Sequence, residues 1–190
     1  MILKSLKTTL FLIFFSSMAF AECQMDLKFG SSIDSLKSTF NKSIDVIPGE
    51  WGLQEVVLEK NDVCPNDKFT ELFVTYSFLS NKLVETKIIS MEKEKFYLID
   101  WAKKNYGDPT EQTYDGNFVP KNNFMWNFED KIIFAEYEMS SNEVFQTIKI
   151  VSTEHENLFD QYYEDMEKGV DPTYHDRMSK YRMMISNKYE

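Results

Sequence analysis

Residues 69–90 constrain the fold more than any other part of the chain, because they predict a β-hairpin. Residues 69–79 and 82–90 are two runs rich in β-branched and aromatic side chains, and Ser80-Asn81 between them suits a tight turn. Apolar residues alternate in the first run, which is typical of a strand with one buried face. They are Leu72, Val74, Tyr76 and Phe78. The chain therefore contains antiparallel β structure.

Further strands are predicted on both sides of this hairpin. They are residues 51–60, 124–128, 131–139 and 144–153. Glu129-Asp130 and Ser140-Ser141-Asn142 supply short turns between the last three. Short turns favour an antiparallel sheet, because a parallel pair needs a long crossover connection. Residues 61–68 and 108–123 are polar and are predicted to be loops.

Two helices are predicted within this β-rich part of the chain. The first covers residues 32–41, with Ser31 or Ser32 as its cap and with an apolar stripe at helical spacing. The second covers residues 92–106 and ends at Gly107, where we expect a positive φ, since Pro109 forbids continuation.

The C-terminus is predicted to be a helical hairpin over residues 156–188. Gly169 ends its first helix, and Asp171-Pro172 is a start signal for the second. The second helix carries an apolar stripe, which is also the candidate binding surface of the chain: Tyr174, Met178, Tyr181 and Ile185. Burial of four large side chains could contribute several kcal/mol, at about 1.5–3 each, so we expect this helix to pack on the sheet.

The order of elements predicts an α+β fold made of two similar halves. Residues 30–90 give a helix, a loop and two or three strands, and residues 92–153 give a helix, a loop and three strands. The pattern repeats but the sequence does not. We therefore expect one α+β domain over residues 22–190, with antiparallel sheet from both halves and the helical hairpin packed on it.

The N-terminus predicts a secretory signal peptide over residues 1–21. Lys4 and Lys7 form a basic start, residues 9–15 form an apolar core, and Ala19-Phe20-Ala21 is a small-x-small cleavage site. The alternative is a membrane anchor, but the apolar run is shorter than the roughly 20 residues that a spanning helix needs. We expect a periplasmic or secreted protein without a membrane span in its mature form.

Cys23 and Cys64 are the two cysteines of the chain. In an exported protein they most simply pair with each other. Lipidation of Cys23 would need a small residue before it, and Glu22 is bulky and charged. The sequence therefore predicts a disulfide between Cys23 and Cys64 rather than a lipid anchor.

The charge of the chain bears on its partners. The net charge is −10, and loss of residues 1–21 would make it −12, since they hold two lysines and no acid. Such a charge disfavours nucleic acid and anionic membrane surfaces. It favours a basic partner, a cation, or simply solubility.

Candidate sites for chemistry are few, and each has a simpler interpretation. His155 and His175 could act as general bases, but no serine lies in a nucleophile motif. His175 with Met178, Met183 and Met184 could bind Cu(I), although core or interface packing is the simpler role for these methionines.

Paired carboxylates are the other candidate. Glu136 and Glu138 share a strand face and could serve a glycosidase, or they mark where the face of Ile132 and Phe134 leaves the core. The chain has no glycine-rich phosphate loop and no Cys-x-x-Cys motif. We expect no catalytic residues, no metal and no cofactor.

Aromatic residues could line a recognition surface, since tyrosine and tryptophan dominate binding hot spots. The set is Trp51, Phe124, Trp126, Phe128 and Tyr137. A packed core is the preferred role for most of them. Tyr163, Tyr174 and Tyr181 on the terminal helices are expected to be partly exposed.

Two segments carry a resemblance to known proteins. KFGSSIDSLKSTF resembles the glycine-and-short-helix opening of small bacterial envelope modules, and AKKNYGDPTEQ followed by FMWNF resembles their helix, Tyr-Gly-x-Pro, loop and tryptophan-bearing strand. These modules are the β-lactamase-inhibitor-protein-like group and the small lipoprotein of the barrel-assembly machine. The chain departs from the lipoprotein at Glu22. The resemblance implies a protein-binding module without catalysis.

The function expected from the sequence is therefore binding, with another envelope protein as partner, in an interaction or inhibitor-like module. Two alternatives stay open. One is a hydrolase that acts on envelope polymers through acidic residues. The other is a carrier of a small apolar ligand between the sheet and the helices.

Overall fold

The computed structural model of the chain describes residues 23–65, 67–115, 121–169 and 171. Its helices are α1 (Ile33–Phe40), α2 (Lys60–Val63), α3 (Tyr97–Tyr106) and α4 (Glu156–Lys168). Its strands are β1 (Ile47–Pro48), β2 (Gln54–Glu59), β3 (Glu71–Leu79), β4 (Lys82–Lys93), β5 (Glu111–Asp115), β6 (Lys121–Asn127), β7 (Lys131–Ser140) and β8 (Glu143–Ser152). The predicted α+β class is confirmed.

All eight strands form one antiparallel sheet in the order β1-β2-β3-β4-β8-β7-β6-β5. The predicted hairpin is β3 and β4, and Ser80 and Asn81 in its turn both have positive φ. Positive φ at both central residues matches the right-handed twist of the flanking strands. The centre of the sheet is the pairing of β4 with β8, which lie far apart in the sequence.

One face of the sheet, the inner face, packs against α1 and α3 and holds the core. Its fully buried side chains include Tyr76 of β3, Ile88 of β4 and Trp126 of β6, and the two helices add Leu36 and Leu98. The opposite, outer face carries the alternate residues of each strand. Because successive side chains of a strand point to opposite faces, the two faces differ sharply in composition.

Helix α4 is the observed C-terminal helix, and none of its residues is fully buried. It contacts β3. Its Tyr162 lies near Glu50 and Glu55, at the start of β2, and burial together with the charges of Tyr163 and these carboxylates raises the pKa of Tyr162. The second helix of the predicted hairpin lies outside the described residues.

Several predicted boundaries are wrong for physical reasons. The helix expected from residue 92 begins at Tyr97, because β4 continues to Lys93 in register with β8. Glu92 is buried in that strand and accepts hydrogen bonds from the backbone N–H of Thr70 at 2.8 Å and the hydroxyl of Ser90 at 3.0 Å. The strand expected from residue 51 begins at Gln54, since Trp51 has a φ of +55° in a turn.

The structure has two strands where the sequence predicted none. Strand β1 is too short to show a periodicity. Strand β5 and the start of β6 lie in a segment predicted to be a loop. The β5 sequence EQTYD has no apolar alternation, which suits an edge strand but gives no strand signal. Helix α2 likewise lies in a predicted loop.

No helix in the described part of the chain is both long enough and apolar enough to span a membrane.

Candidate functional site

The outer face of the sheet has a concave region over its central strands, here called the outer-face groove. It has a volume of about 540 Å³. The strand register places Lys87 of β4 opposite Lys149 of β8, and Lys149 opposite Phe134 of β7. The side chains that define the groove are Glu85, Lys87, Phe134, Glu136, Phe145 and Lys149.

Two phenylalanines give the outer-face groove its apolar character. Phe134 is 46% exposed and Phe145 is 42% exposed. A folded chain gains free energy by burying such side chains, at about 1.5–3 kcal/mol each, and neither is buried by the described residues. Exposed large apolar side chains that share one face mark surfaces for binding.

Charged side chains of both signs surround these phenylalanines. The ammonium of Lys149 lies 2.8 Å from a carboxylate oxygen of Glu85, and the side chain of Glu85 is only 17% exposed. Lys87 is exposed, and Glu136 is half-buried in the groove wall. This pattern of an apolar centre with a polar rim is the usual anatomy of a protein-binding surface.

A second concave region lies between α1 and α3 on the inner face, here called the interhelix cleft. It has a volume of about 1080 Å³, and Asp26, Trp101, Tyr106, Phe128 and Lys131 are among the residues that line it. The Tyr106 hydroxyl donates to Oδ2 of Asp26 at 2.8 Å, and Nζ of Lys131 donates to the same oxygen at 2.8 Å. Lys131 also lies 5.1 Å from the centre of the Tyr106 ring.

This network has a clear electrostatic consequence. Burial, followed by the charge of Asp26 and the hydrogen bond to it, raises the pKa of Tyr106 far above its ordinary value. Burial and Asp26 also raise the pKa of Tyr76, whose hydroxyl donates to the carbonyl oxygen of Gln24 at 2.9 Å. Both tyrosines therefore stay neutral and fix the N-terminal segment to the inner face.

The predicted disulfide is confirmed. Cys23 and Cys64 are bonded to each other, with their Cα atoms 4.6 Å apart and a separation of 41 positions along the chain. Beside the bond, the backbone N–H of Gln24 donates to the carbonyl oxygen of Val63 at 2.9 Å. Asp67 lies beside the two sulfurs, but sulfurs bonded to each other are not thiolates and cannot serve as strong metal ligands.

The histidine that the structure describes, His155, lies between a buried serine and a glycine. Nδ1 of His155 lies 2.9 Å from the hydroxyl oxygen of Ser152, but Ser152 is buried and cannot reach a substrate. Nε2 of His155 packs against Gly30, where an added Cβ would lie 3.1 Å from it. His175, Met178, Met183 and Met184 lie outside the described residues.

The carboxylate pair predicted on β7 lies on the outer face together with Ile132 and Phe134. Glu136 lines the groove, whereas Glu138 is exposed beyond it and pairs in register with Phe145. The pair therefore marks the groove and its border.

The aromatic residues divide between core and surface. Phe124 and Trp126 are buried, and Tyr137 packs against the core, so their predicted role is confirmed. Phe128 is 40% exposed and Trp51 is half-buried in a turn, so these two members of the set lie outside the core. Tyr163 is exposed as predicted.

The candidate binding residues Tyr174, Met178, Tyr181 and Ile185 lie outside the described residues. No sequence signal points to the network of Asp26, Tyr106 and Lys131, because Tyr106 and Lys131 lie 80 and 105 positions from Asp26 along the chain. Tyr106 ends a predicted helix and Lys131 begins a predicted strand, but no spacing rule connects them.

Comparison with known proteins gives little further guidance. No protein-family model and no curated protein matches the chain. Among solved structures, a cysteine-rich secretory protein from Staphylococcus aureus subsp. aureus Mu50 matches with 14% identity and a TM-score of 0.36, over 71% of this chain and 50% of that one. The chain thus spans about half the length of that protein, and at this TM-score the likeness does not establish a common fold.

Proposed function

We propose that this protein is an exported, non-catalytic binding module of the cell envelope that recognises another protein through the outer-face groove. The signal-peptide pattern of residues 1–21 and the disulfide between Cys23 and Cys64 support export to an oxidising compartment such as the periplasm. The single observation that carries the binding role is the exposure of Phe134 and Phe145 in one groove.

The chemistry of the groove suits a protein surface better than a small ligand. Small-molecule sites bury most of their ligand in a deep cavity, whereas this groove lies on the open face of a sheet. A partner would place an apolar side chain between Phe134 and Phe145 and polar groups toward the charged rim. The net charge of −10 would also speed the encounter with a basic partner.

The groove supports binding more than hydrolysis. Its two carboxylates are Glu85 and Glu136. The ammonium of Lys149 holds Glu85 at 2.8 Å, so this carboxylate is engaged in an ion pair rather than directed at a substrate. Transport of an apolar ligand is also less well supported, because Asp26, Asp62 and Lys131 line the interhelix cleft.

The two-halves organisation belongs to the same proposal. A helix followed by four antiparallel strands occurs twice along the chain if the short α2, which lies between β2 and β3 in the first set, is left aside. The last strands of the two sets, β4 and β8, pair at the centre of the sheet. Two such repeats joined in this way would explain how a chain of this size presents a continuous eight-stranded surface. This arrangement also supports the resemblance to small envelope modules of helix and antiparallel strands.

A capture experiment with matched variants tests the proposal. The immobilised protein is incubated with envelope extract of the producing organism, and bound proteins are identified by mass spectrometry. Phe134→Ala removes the more exposed of the two groove phenylalanines and should abolish capture of the specific partner. Phe128→Ala is the control, because Phe128 is 40% exposed but lines the interhelix cleft.

The two variants separate the possible results. Loss of a protein with Phe134→Ala and its retention with Phe128→Ala would support binding through the groove. Equal capture by both variants and the parent would contradict it, and loss with Phe128→Ala alone would move the site to the interhelix cleft.

A further inference from the structure

One wall of the interhelix cleft is aromatic. The ring of Tyr106 lies at its middle, with its centre 5.6 Å from that of Trp101 and 6.2 Å from that of Phe128. The hydroxyl of Tyr106 is held by Asp26, so this ring has a fixed orientation. Trp101 is half-buried and Phe128 is 40% exposed, so the two flanking rings keep surface that the described residues leave open. The wall can therefore take the apolar face of a ligand.

The acidic side chains that line the cleft are both paired with lysines. Oδ2 of Asp26 lies 2.8 Å from Nζ of Lys131, and Oδ1 of Asp62 lies 2.7 Å from Nζ of Lys42. The side chains of Asp26 and Asp62 are each only 25% exposed, so water and salt screen these pairs weakly. A charged ligand would have to compete with one of the pairs, whereas an uncharged ligand leaves both intact. The net charge of −10 also repels anions, so the cleft favours a neutral ligand.

Hydrogen-bonding groups remain beside the aromatic wall. Asp26 receives the hydrogen bonds of Tyr106 and Lys131 on Oδ2, which leaves its Oδ1 as an acceptor. Asn105 donates from Nδ2 to the carbonyl oxygen of Trp101 at 2.7 Å, which leaves its Oδ1 as a second acceptor. The indole N–H of Trp101 is a donor. A ligand of the cleft therefore needs donors and acceptors at its edge as well as an apolar face.

Sugar rings combine these properties without a charge. The C–H bonds on one face of a pyranose ring suit the electron-rich face of an aromatic ring, and the hydroxyls at its edge both donate and accept hydrogen bonds. The cleft volume of about 1080 Å³ lies at the upper end of the range of roughly 300–1,000 Å³ for small-molecule sites. It therefore suits several linked rings better than one.

From these observations we infer that the interhelix cleft binds a neutral oligosaccharide. Its rings stack on Trp101 and Phe128, and its hydroxyls donate to Asp26 and Asn105. The cleft lies on the inner face of the sheet and the outer-face groove on the opposite face, so the inference does not rest on the function proposed for the groove.

NMR titration provides the test, because the chain has three tryptophans and each gives its own indole N–H signal. The signal of Trp101 is the one missing from the spectrum of Trp101→Phe. The isotope-labelled protein is titrated separately with tetra-N-acetylchitotetraose, cellotetraose and maltotetraose, which are neutral chains of different linkage. At least one of them should shift the Trp101 signal to saturation, whereas the Trp51 signal, from the turn before β2, should stay in place.

Two variants of equal exposure supply the control. Phe128→Ala should weaken the affinity for that tetrasaccharide by about tenfold, because it removes one stacking ring. Phe73→Ala should leave the affinity unchanged, since Phe73 is 41% exposed but lies on the outer face of β3. No saturable shift of the Trp101 signal with any of the three tetrasaccharides would overturn the inference, as would equal affinities of Phe128→Ala and the parent.

A charged analogue tests the requirement for neutrality. Chitotetraose has the same backbone as tetra-N-acetylchitotetraose but carries free amines, which are cationic at pH 7. It should shift the Trp101 signal less than its neutral counterpart does at the same concentration. A larger, saturable shift with chitotetraose would overturn the inference in favour of a site for cations.

Discussion

The indole Nε1 of Trp126 donates a hydrogen bond to the carbonyl oxygen of Gly107 at 2.9 Å. This bond joins β6 to the residue that ends α3, and Trp126 itself is 1% exposed. Trp126→Phe would leave the carbonyl without its buried donor and remove part of the ring. We expect it to lower the free energy of unfolding by about 1–3 kcal/mol in urea denaturation. Trp101→Phe, on the half-buried face of α3, is the control and should lower the free energy of unfolding clearly less. If both variants lose the same free energy, ring volume and not the hydrogen bond decides the effect.

Gly107 has a φ of +79° and a ψ of −160°, whereas Gly169 has a φ of +66° and a ψ of 24°. The first conformation is accessible essentially only to glycine, while the second is the left-handed region that other residues tolerate at a smaller cost. Neither position has an atom within 4 Å of an added Cβ. Gly107→Ala should therefore destabilise the protein by about 1–3 kcal/mol, and more than Gly169→Ala. Urea denaturation of both variants measures the difference, and a reversed order would contradict the backbone explanation.

The parts of the fold that the sequence predicts well are those with local signals. Alternation in residues 69–79 and the Ser80-Asn81 turn predict the β3–β4 hairpin, and Ser32 caps α1 through a bond from the backbone N–H of Ser35. Where tertiary pairing overrides local preference, prediction is wrong. Residues 92–93 look helical, yet they extend β4 because β8 lies beside them.

The candidate site could not be predicted in the same way. The outer-face groove needs Lys87, Phe134 and Lys149 on three neighbouring strands. These residues lie side by side because β8 pairs with both β4 and β7, and no local pattern specifies the pairing of β4 with β8. The network of Asp26, Tyr106 and Lys131 combines three distant segments. By contrast, the disulfide was predictable, because a chain with two cysteines allows only one intramolecular connection.

The buried hydroxyl of Tyr106 predicts a loss of stability in alkali. Burial and Asp26 raise its pKa in the folded state above the ordinary value of 10.0, so at high pH the folded state keeps a proton that the unfolded state releases. Stability from this group is present below pH 10 and falls as the pH rises above it. Tyr106→Phe should have a lower free energy of unfolding at pH 7, since it loses the bond to Asp26, but a shallower decline above pH 10. Denaturation at several pH values gives the free energy of unfolding as a function of pH for each variant. Tyr163→Phe on the exposed helix α4 is the control. If the free energies of Tyr106→Phe and the parent fall in parallel above pH 10, the prediction is contradicted.

The disulfide between Cys23 and Cys64 closes a loop over the N-terminal segment that Tyr76 and Tyr106 hold on the inner face. In the chain-entropy model, closing a loop of this length stabilises the folded state by about 4 kcal/mol. The double variant Cys23→Ser/Cys64→Ser should therefore lower the unfolding midpoint strongly, and reduction of the parent should give the same shift. Intact mass of the oxidised parent should lie about 2 Da below the reduced form, since the bond removes two hydrogens. A double variant as stable as the parent would show that the bonds from Tyr76 and Tyr106 alone hold this segment in place.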